Sequence, residues 1–174
     1  MISSNNFLMF FLGLELSAIP LAALCNFNLK DISSSESAIK MILSSAFASA
    51  IMLFGISLLY GVSGTLSFTE ITQSVKFGEL ELLAFIFIFA GFAFKLSAVP
   101  FHLWTADVYE GAPVSVTAYL SVISKGSIIF VFTSVLFTMF RNFENSWYNM
   151  LVLSIVLSIT IGNLFALRQN NLKR

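Results

Sequence analysis

Phe94-Lys-Leu-Ser-Ala-Val-Pro-Phe-His-Leu-Trp104 puts a lysine, Lys95, inside a long run of phenylalanines and aliphatics, then adds a proline and a histidine within seven residues. Composition says what kind of chain tolerates this. Of 174 residues, 57% are hydrophobic and only 10% charged, and the mean hydropathy is +0.90. A soluble domain carries about a quarter charged residues. This chain cannot cover itself with polar surface, so it reads as an all-α integral membrane protein. Its net charge of zero gives no electrostatic basis for nucleic-acid binding. The lone cysteine, Cys25, excludes an internal disulfide and a multi-cysteine metal site, and reads as a small apolar packing residue.

Working outward from that stretch, a helix crosses the hydrocarbon core in about 20 mostly apolar residues. Five segments qualify: 7–26, 38–60, 80–106 (apolar over Leu80–Phe101), 114–140 and 148–167. The joints are polar: NLKDISSSES (Asn28 to Ser37), GVSGTLSFTEITQSVKFGE (Gly61 to Glu79), DVYEGAP (Asp107 to Pro113) and RNFENS (Arg141 to Ser146). The whole chain is one transmembrane unit. MISSNN carries no basic residue ahead of the first apolar run, and that run holds Glu15 and Pro20, so neither a secretory signal nor a transit peptide is read. Insertion from the compartment of synthesis is expected. Loop cations set orientation: Lys30, Lys40, Arg168, Lys173 and Arg174 gather on one face, against Lys76 and Arg141 on the other. The C-terminus is therefore expected on the synthesising side and the N-terminus across the membrane.

Three charges fall near the middle of apolar spans: Glu15, Lys95 and Lys125. Each costs about 2.5–3.5 kcal/mol at a helix centre on an insertion scale, and such residues face a bundle interior or a wet path. Structural ion pairing, or snorkelling of a lysine to the interface, is the alternative. Their chemistry suits proton handling. Desolvation disfavours the charged form of a buried amine and a nearby carboxylate favours it, so moving the counter-ion loads or unloads a proton. Glu15 with Lys95 is the expected modulating pair, and Lys125 the neighbouring relay site.

Pro100 lacks an N–H, and its ring clashes with the carbonyl of Leu96 one turn back. The segment Lys95 to Pro100 is therefore expected to kink or unwind. Irregular backbone at membrane depth survives where protein buries it or where it lines a cavity, and transporters place ion sites at such breaks. A plain proline kink with an incidental lysine is the other reading. His102, just past the break, is either a relay member or a hydrogen-bonded structural residue. Lys40 reads as an interfacial anchor, Asp107 and Glu110 as a solvated loop or interfacial pair, and Pro20 as a bend in the first span. The twenty phenylalanines read as lipid-facing or packing residues. No redox cofactor finds a home: there is no cysteine cluster for iron–sulfur ligation, a single histidine, no dinucleotide glycine fingerprint and no P-loop.

GFAFKLSAVPFHLWTADVYEGAPVSVTAYLSVISKGS (Gly91 to Ser127) resembles the central signature of subunit 2, or N, of respiratory complex I, an antiporter-like, proton-pumping membrane subunit of NADH:quinone oxidoreductase. The flanks FLGLELSAIPLAAL, ESAIKMILSSAFASAIMLFGISLLYG and TIGNLFALRQNNLKR agree, so the resemblance covers nearly the whole chain. VYEGAP is similar to subunit 2 rather than to subunits 4 and 5 or the related antiporters. The resemblance implies proton translocation by Glu15, Lys95 in a broken helix, and Lys125, with no catalytic redox residue, cofactor site or metal site in this chain. NADH, FMN, iron–sulfur clusters and ubiquinone are expected elsewhere in the complex. The family has about fourteen helices in two inverted five-helix repeats, and the chain resembles only the middle. Hence a split subunit is expected, completed by a separate chain among the other membrane-arm subunits. Gene fragmentation and the missing import signal point to an organellar genome and the mitochondrial inner membrane, with a bacterial inner membrane, or a truncated piece, as alternatives. A secondary cation/proton antiporter subunit and a non-pumping structural scaffold remain the rival functions.

Overall fold

Asn6 is extended, and its side-chain oxygen accepts the N–H of Leu8 at 2.8 Å, which starts helix α1 (Phe7–Cys25). The computed structural model describes residues 4–74 and 78–171. From α1 the chain runs through α2 (Ile32–Ser63), α3 (Phe68–Ser74), α4 (Glu79–Leu96), α5 (Leu103–Gly111), α6 (Val114–Tyr119), a π-helical turn (Leu120–Ser124), α7 (Lys125–Thr138), a 3-10 turn (Arg141–Phe143) and α8 (Glu144–Ala166). Among the described residues the only extended pairing is an isolated antiparallel bridge between Asn6 and Ser67.

Several boundaries differ from those read in the sequence. The polar turn expected over Asn28–Ser37 is mostly helix, and α2 begins six residues before Ala38. Asp31 caps it by accepting the Ser33 N–H at 3.0 Å. The serines then serve the corner with α1: the Ser34 hydroxyl donates to the Cys25 carbonyl at 2.6 Å, and that of Ser35 to Asn26 Oδ1 at 2.9 Å. The long polar stretch Gly61–Glu79 contains α3. The helix expected over 80–106 is two helices. α4 ends at Leu96, four residues before Pro100, because Ser97 takes a left-handed conformation (φ 61°) while the Ala98 N–H reaches back to the Ala93 carbonyl at 2.8 Å. This closes the helix end by the Schellman pattern, usually made by glycine. Pro20 lies inside α1, exposed, and the helix continues past it to Cys25.

Four helical runs are long and apolar enough to cross a membrane: Phe7–Cys25, Ile32–Ser63, Val114–Thr138 and Glu144–Ala166. α4 is not among them, since it carries Glu79, Glu81 and Lys95 in 18 residues. Lys76, Lys173 and Arg174, counted above for orientation, lie outside the described residues.

α4 packs chiefly on α2, closely enough that side chains are excluded at the crossing. A Cβ on Gly91 would stand 2.6 Å from Met52 Cβ, and one on Gly55 would stand 2.8 Å from the Ile88 nitrogen. Small residues let membrane helices approach this way. The core beside this crossing is aromatic: Phe10 stacks on Phe92 (5.5 Å), Phe92 meets Phe132 (4.7 Å), and Phe85 meets Phe140 (4.8 Å). By contrast α8 buries only Trp147 among its described side chains, and large side chains such as Leu16, Ile32, Leu153 and Leu164 face outward.

Contacts sort the loops onto two ends. At one, the Phe7 N–H bonds to the Leu66 carbonyl, the Phe68 N–H to that of Asn5, and the Thr72 hydroxyl to that of Thr138. At the other, the α1–α2 corner meets Gly111, where an added Cβ would stand 2.3 Å from the Ser33 carbonyl oxygen, and Asn171 donates to Glu110 at 3.0 Å. Lys95 and the break lie between them.

Candidate functional site

The break itself is built from satisfied backbone. Trp104 Nε1 donates to the Phe94 carbonyl at 3.2 Å, the Ser158 hydroxyl on α8 accepts the Val99 N–H at 3.0 Å, and the Thr105 hydroxyl donates to Ser97 Oγ. Partners of this kind let irregular backbone persist away from water. The Val99–Pro100 peptide is cis. Lys95 occupies the last turn of α4, where the helix dipole is negative and favours an ammonium.

Lys95 is half-buried, and its Nζ donates to Ser45 Oγ on α2. One turn further along α2, Ser49 donates to Glu15 Oε1 on α1. Residues four apart stand one above the other on a helix. Lys95 and Glu15 thus each bond a serine hydroxyl on adjacent turns of one face of α2. Among the described residues no direct ion pair links them. Beside them lies a cavity of about 40 Å³, lined by Ser17, Ser44, Ser45, Lys95, Trp104 and Ser124 among others. That is room for a water molecule with several polar partners.

Lys125, also half-buried, follows Ser124 directly, at the point where the π turn gives way to α7. Such π turns recur at functional sites because the extra residue re-aims side chains. Its Nζ stands 5.6 Å from the centre of the Tyr109 ring, within cation–π range. Lys125 faces a second, larger cavity, about 480 Å³, walled by Ser97, His102, Thr105, Asp107 and Tyr109. His102 stacks on Phe165 at 5.5 Å, and both its ring nitrogens are buried with no hydrogen-bond partner among the described residues. Of the residues singled out in the sequence, the fold therefore joins Glu15 to Lys95, and joins Lys125 to His102. Ser97 and Thr105 line the cavity that Lys125 and His102 share, and Ser124 lines the smaller cavity beside Lys95.

Sequence reading passed over Ser45, Ser49 and Tyr109. A serine in a membrane helix is common and cheap, so only the spacing, two serines four apart in the span after Glu15, could have raised them. Lys40 and Asp107, read as an anchor and a loop residue, form an ion pair at 2.6 Å that ties α2 to α5. Cys25 is buried against Met41, as a packing residue.

A family model described as NADH:quinone oxidoreductase/Mrp antiporter, transmembrane, matches residues 4–174. The chain belongs to that family. NADH-quinone oxidoreductase subunit N of Phocaeicola vulgatus is 52% identical over the whole chain, and that of Azobacteroides pseudotrichonymphae 50%. The chain spans 37% and 36% of their respective lengths. Among solved structures, respiratory complex I from Thermus thermophilus with bound aureothin superposes with a TM-score of 0.85 at 31% identity, over 99% of this chain and 37% of that one. An archaeal membrane-bound sulfane sulfur reductase superposes with 0.88 at 25% identity, over 98% and 35%. The family resemblance to complex I subunit N is thus established, while these subunit N relatives are bacterial, so the expected mitochondrial address has no support from them.

Proposed function

We propose that this chain is a proton-translocating part of a membrane-arm subunit of an NADH:quinone oxidoreductase, in which Glu15, Lys95 and Lys125 pass protons without themselves performing redox chemistry. The observation that carries this reading is the link Lys95–Ser45, Ser49–Glu15 at a broken helix. A buried amine holds its proton when a carboxylate is near and yields it when the carboxylate's influence is withdrawn. Two hydroxyls between them make that influence adjustable, because a small slide of α2 against α4 breaks one hydrogen bond without expelling either charge into lipid. Lys95 then discharges toward Lys125 through the cavity that ends at Ser124, and His102 shares the cavity that Lys125 faces.

In this reading α4 and α5 together make the third of five crossings, with the break at mid-depth, and the C-terminus faces the bacterial cytoplasm. Partners are the neighbouring membrane-arm subunits and the remainder of the subunit N fold. Flavin, iron–sulfur clusters and quinone belong to other parts of the complex. Moving a charge against 100 mV costs about 2.3 kcal/mol, so the drive comes from the redox reaction through those neighbours. An exchange of cations for protons uses the same buried lysines, and is the second reading that the family's antiporter branch keeps open.

The test is Lys95→Ala in the assembled complex, in sealed membrane vesicles, with NADH oxidation and internal acidification recorded together. Protons moved per NADH should fall. An unchanged ratio at an unchanged rate removes Lys95 from the path. Acidification driven by a sodium gradient, with no NADH, would instead favour the exchanger.

A further inference from the structure

Asp107 is a wall of two cavities. On one side it borders the Lys125 cavity with His102 and Tyr109. On the other it borders a polar recess of about 460 Å³ at the end of the molecule where α2 begins, with Ser33, Glu36, Ser37, Lys40 and Glu110. That recess opens outward: the side chains of Glu36 and Lys40 are 59% and 40% exposed, and that of Asp107 is 30% exposed. Lys40 Nζ stands 2.6 Å from Asp107 and 2.6 Å from Glu36, so one ammonium is shared between two carboxylates on different helices. The close approach of Gly111 to Ser33 keeps α5 against α2 at this point.

We propose that Asp107 is a second proton entrance to Lys125, one that bypasses Glu15 and Lys95, and that Lys40 is its gate. The proposal rests on Lys125 being a relay site. While Lys40 holds Asp107, the carboxylate stays deprotonated and the entrance is shut. When Lys40 swings to Glu36, Asp107 takes a proton from water in the outer recess. It then gives that proton to the inner cavity, which is wide enough for water. There His102, with both ring nitrogens unpartnered among the described residues, accepts at one nitrogen and releases at the other. A neutral Lys125 amine takes the proton, Asp107 returns to carboxylate, and Lys40 recaptures it. The charged and titratable groups facing Asp107 are Lys40 and Glu36 from α2, Glu110 from its own helix, and His102, Tyr109 and Lys125 across the inner cavity.

The experiment compares protons moved per NADH in vesicles holding the assembled complex, with Lys125→Ala as the floor. Glu15→Gln should lose only part of the ratio. Adding Asp107→Asn should bring it to the floor, while adding Asp107→Glu should leave it at the Glu15→Gln level. The inference is overturned if Glu15→Gln alone reaches the floor, if Asp107→Asn changes nothing further, or if Asp107→Glu falls as far as Asp107→Asn. A Lys125→Ala complex that pumps like the unsubstituted one overturns the relay reading itself. Should Asp107→Asn not assemble, access is read directly with Lys125→Cys in otherwise unsubstituted complex. A small cationic thiosulfonate added from the side of Asp31 should modify it, and protection from that side overturns the entrance.

Discussion

At the residue scale, charge is legible where it is expensive. Glu15, Lys95 and Lys125 stand out because each interrupts an apolar run, and a membrane makes that costly. The groups that organise them do not stand out. Ser45 and Ser49 cost nothing in a helix and carry no charge, yet they hold the ends of the Lys95–Glu15 link. A hydrogen bond to a charged group is worth about 1.5–3 kcal/mol. Ser49→Ala should therefore slow coupled proton movement by about tenfold or more, measured as dye quenching in vesicles, while Ser49→Thr, which keeps the hydroxyl, should retain most of the rate. Equal loss in both would mean that volume rather than the hydroxyl matters. Lys40 was readable as an anchor by position alone, but its bond to Asp107, 67 residues away, is a product of the fold.

At the scale of elements, the four long apolar helices follow from composition, and their ends follow from caps. The start of α2 lay beyond a composition reading because serines look like a loop until Asp31 caps them into a helix. Replacing Asp31 by Ala should cost about 1 kcal/mol, seen as a lower unfolding temperature in detergent. The neighbourhood of the break is signalled by Pro100, but the end of α4 at Leu96 is set by a serine in a glycine-like conformation, which no propensity favours. The π turn before Lys125 likewise leaves no signature in residue type. The α2–α4 crossing is where substitution should tell most. Gly91→Ala forces its Cβ toward Met52, an overpacking that costs about 1–3 kcal/mol. It should destabilise the helix pair and weaken proton movement together, since Ser45 and Lys95 sit on these two helices. A Gly91→Ala form with unchanged melting would show that the crossing relaxes freely.

For the whole molecule, the outward-facing leucines and isoleucines of α1, α2 and α8 make an apolar surface suited to lipid or to other helices. The chain spans little more than a third of the relatives it matches. Gentle solubilisation and isolation of this chain should bring down a large NADH-oxidising complex. Isolation with exchanger-type partners only would move the chain to the antiporter branch of its family. Both proposed entrances, one through Glu15 and Lys95 and the other through Asp107, converge on Lys125. The decisive measurement is therefore the number of protons moved per NADH by the assembled complex carrying Lys125→Ala, with assembly verified by its content of this chain. The account predicts a lower ratio, or a parallel slowing of NADH oxidation and pumping; an assembled complex with unchanged ratio and unchanged rate would contradict it.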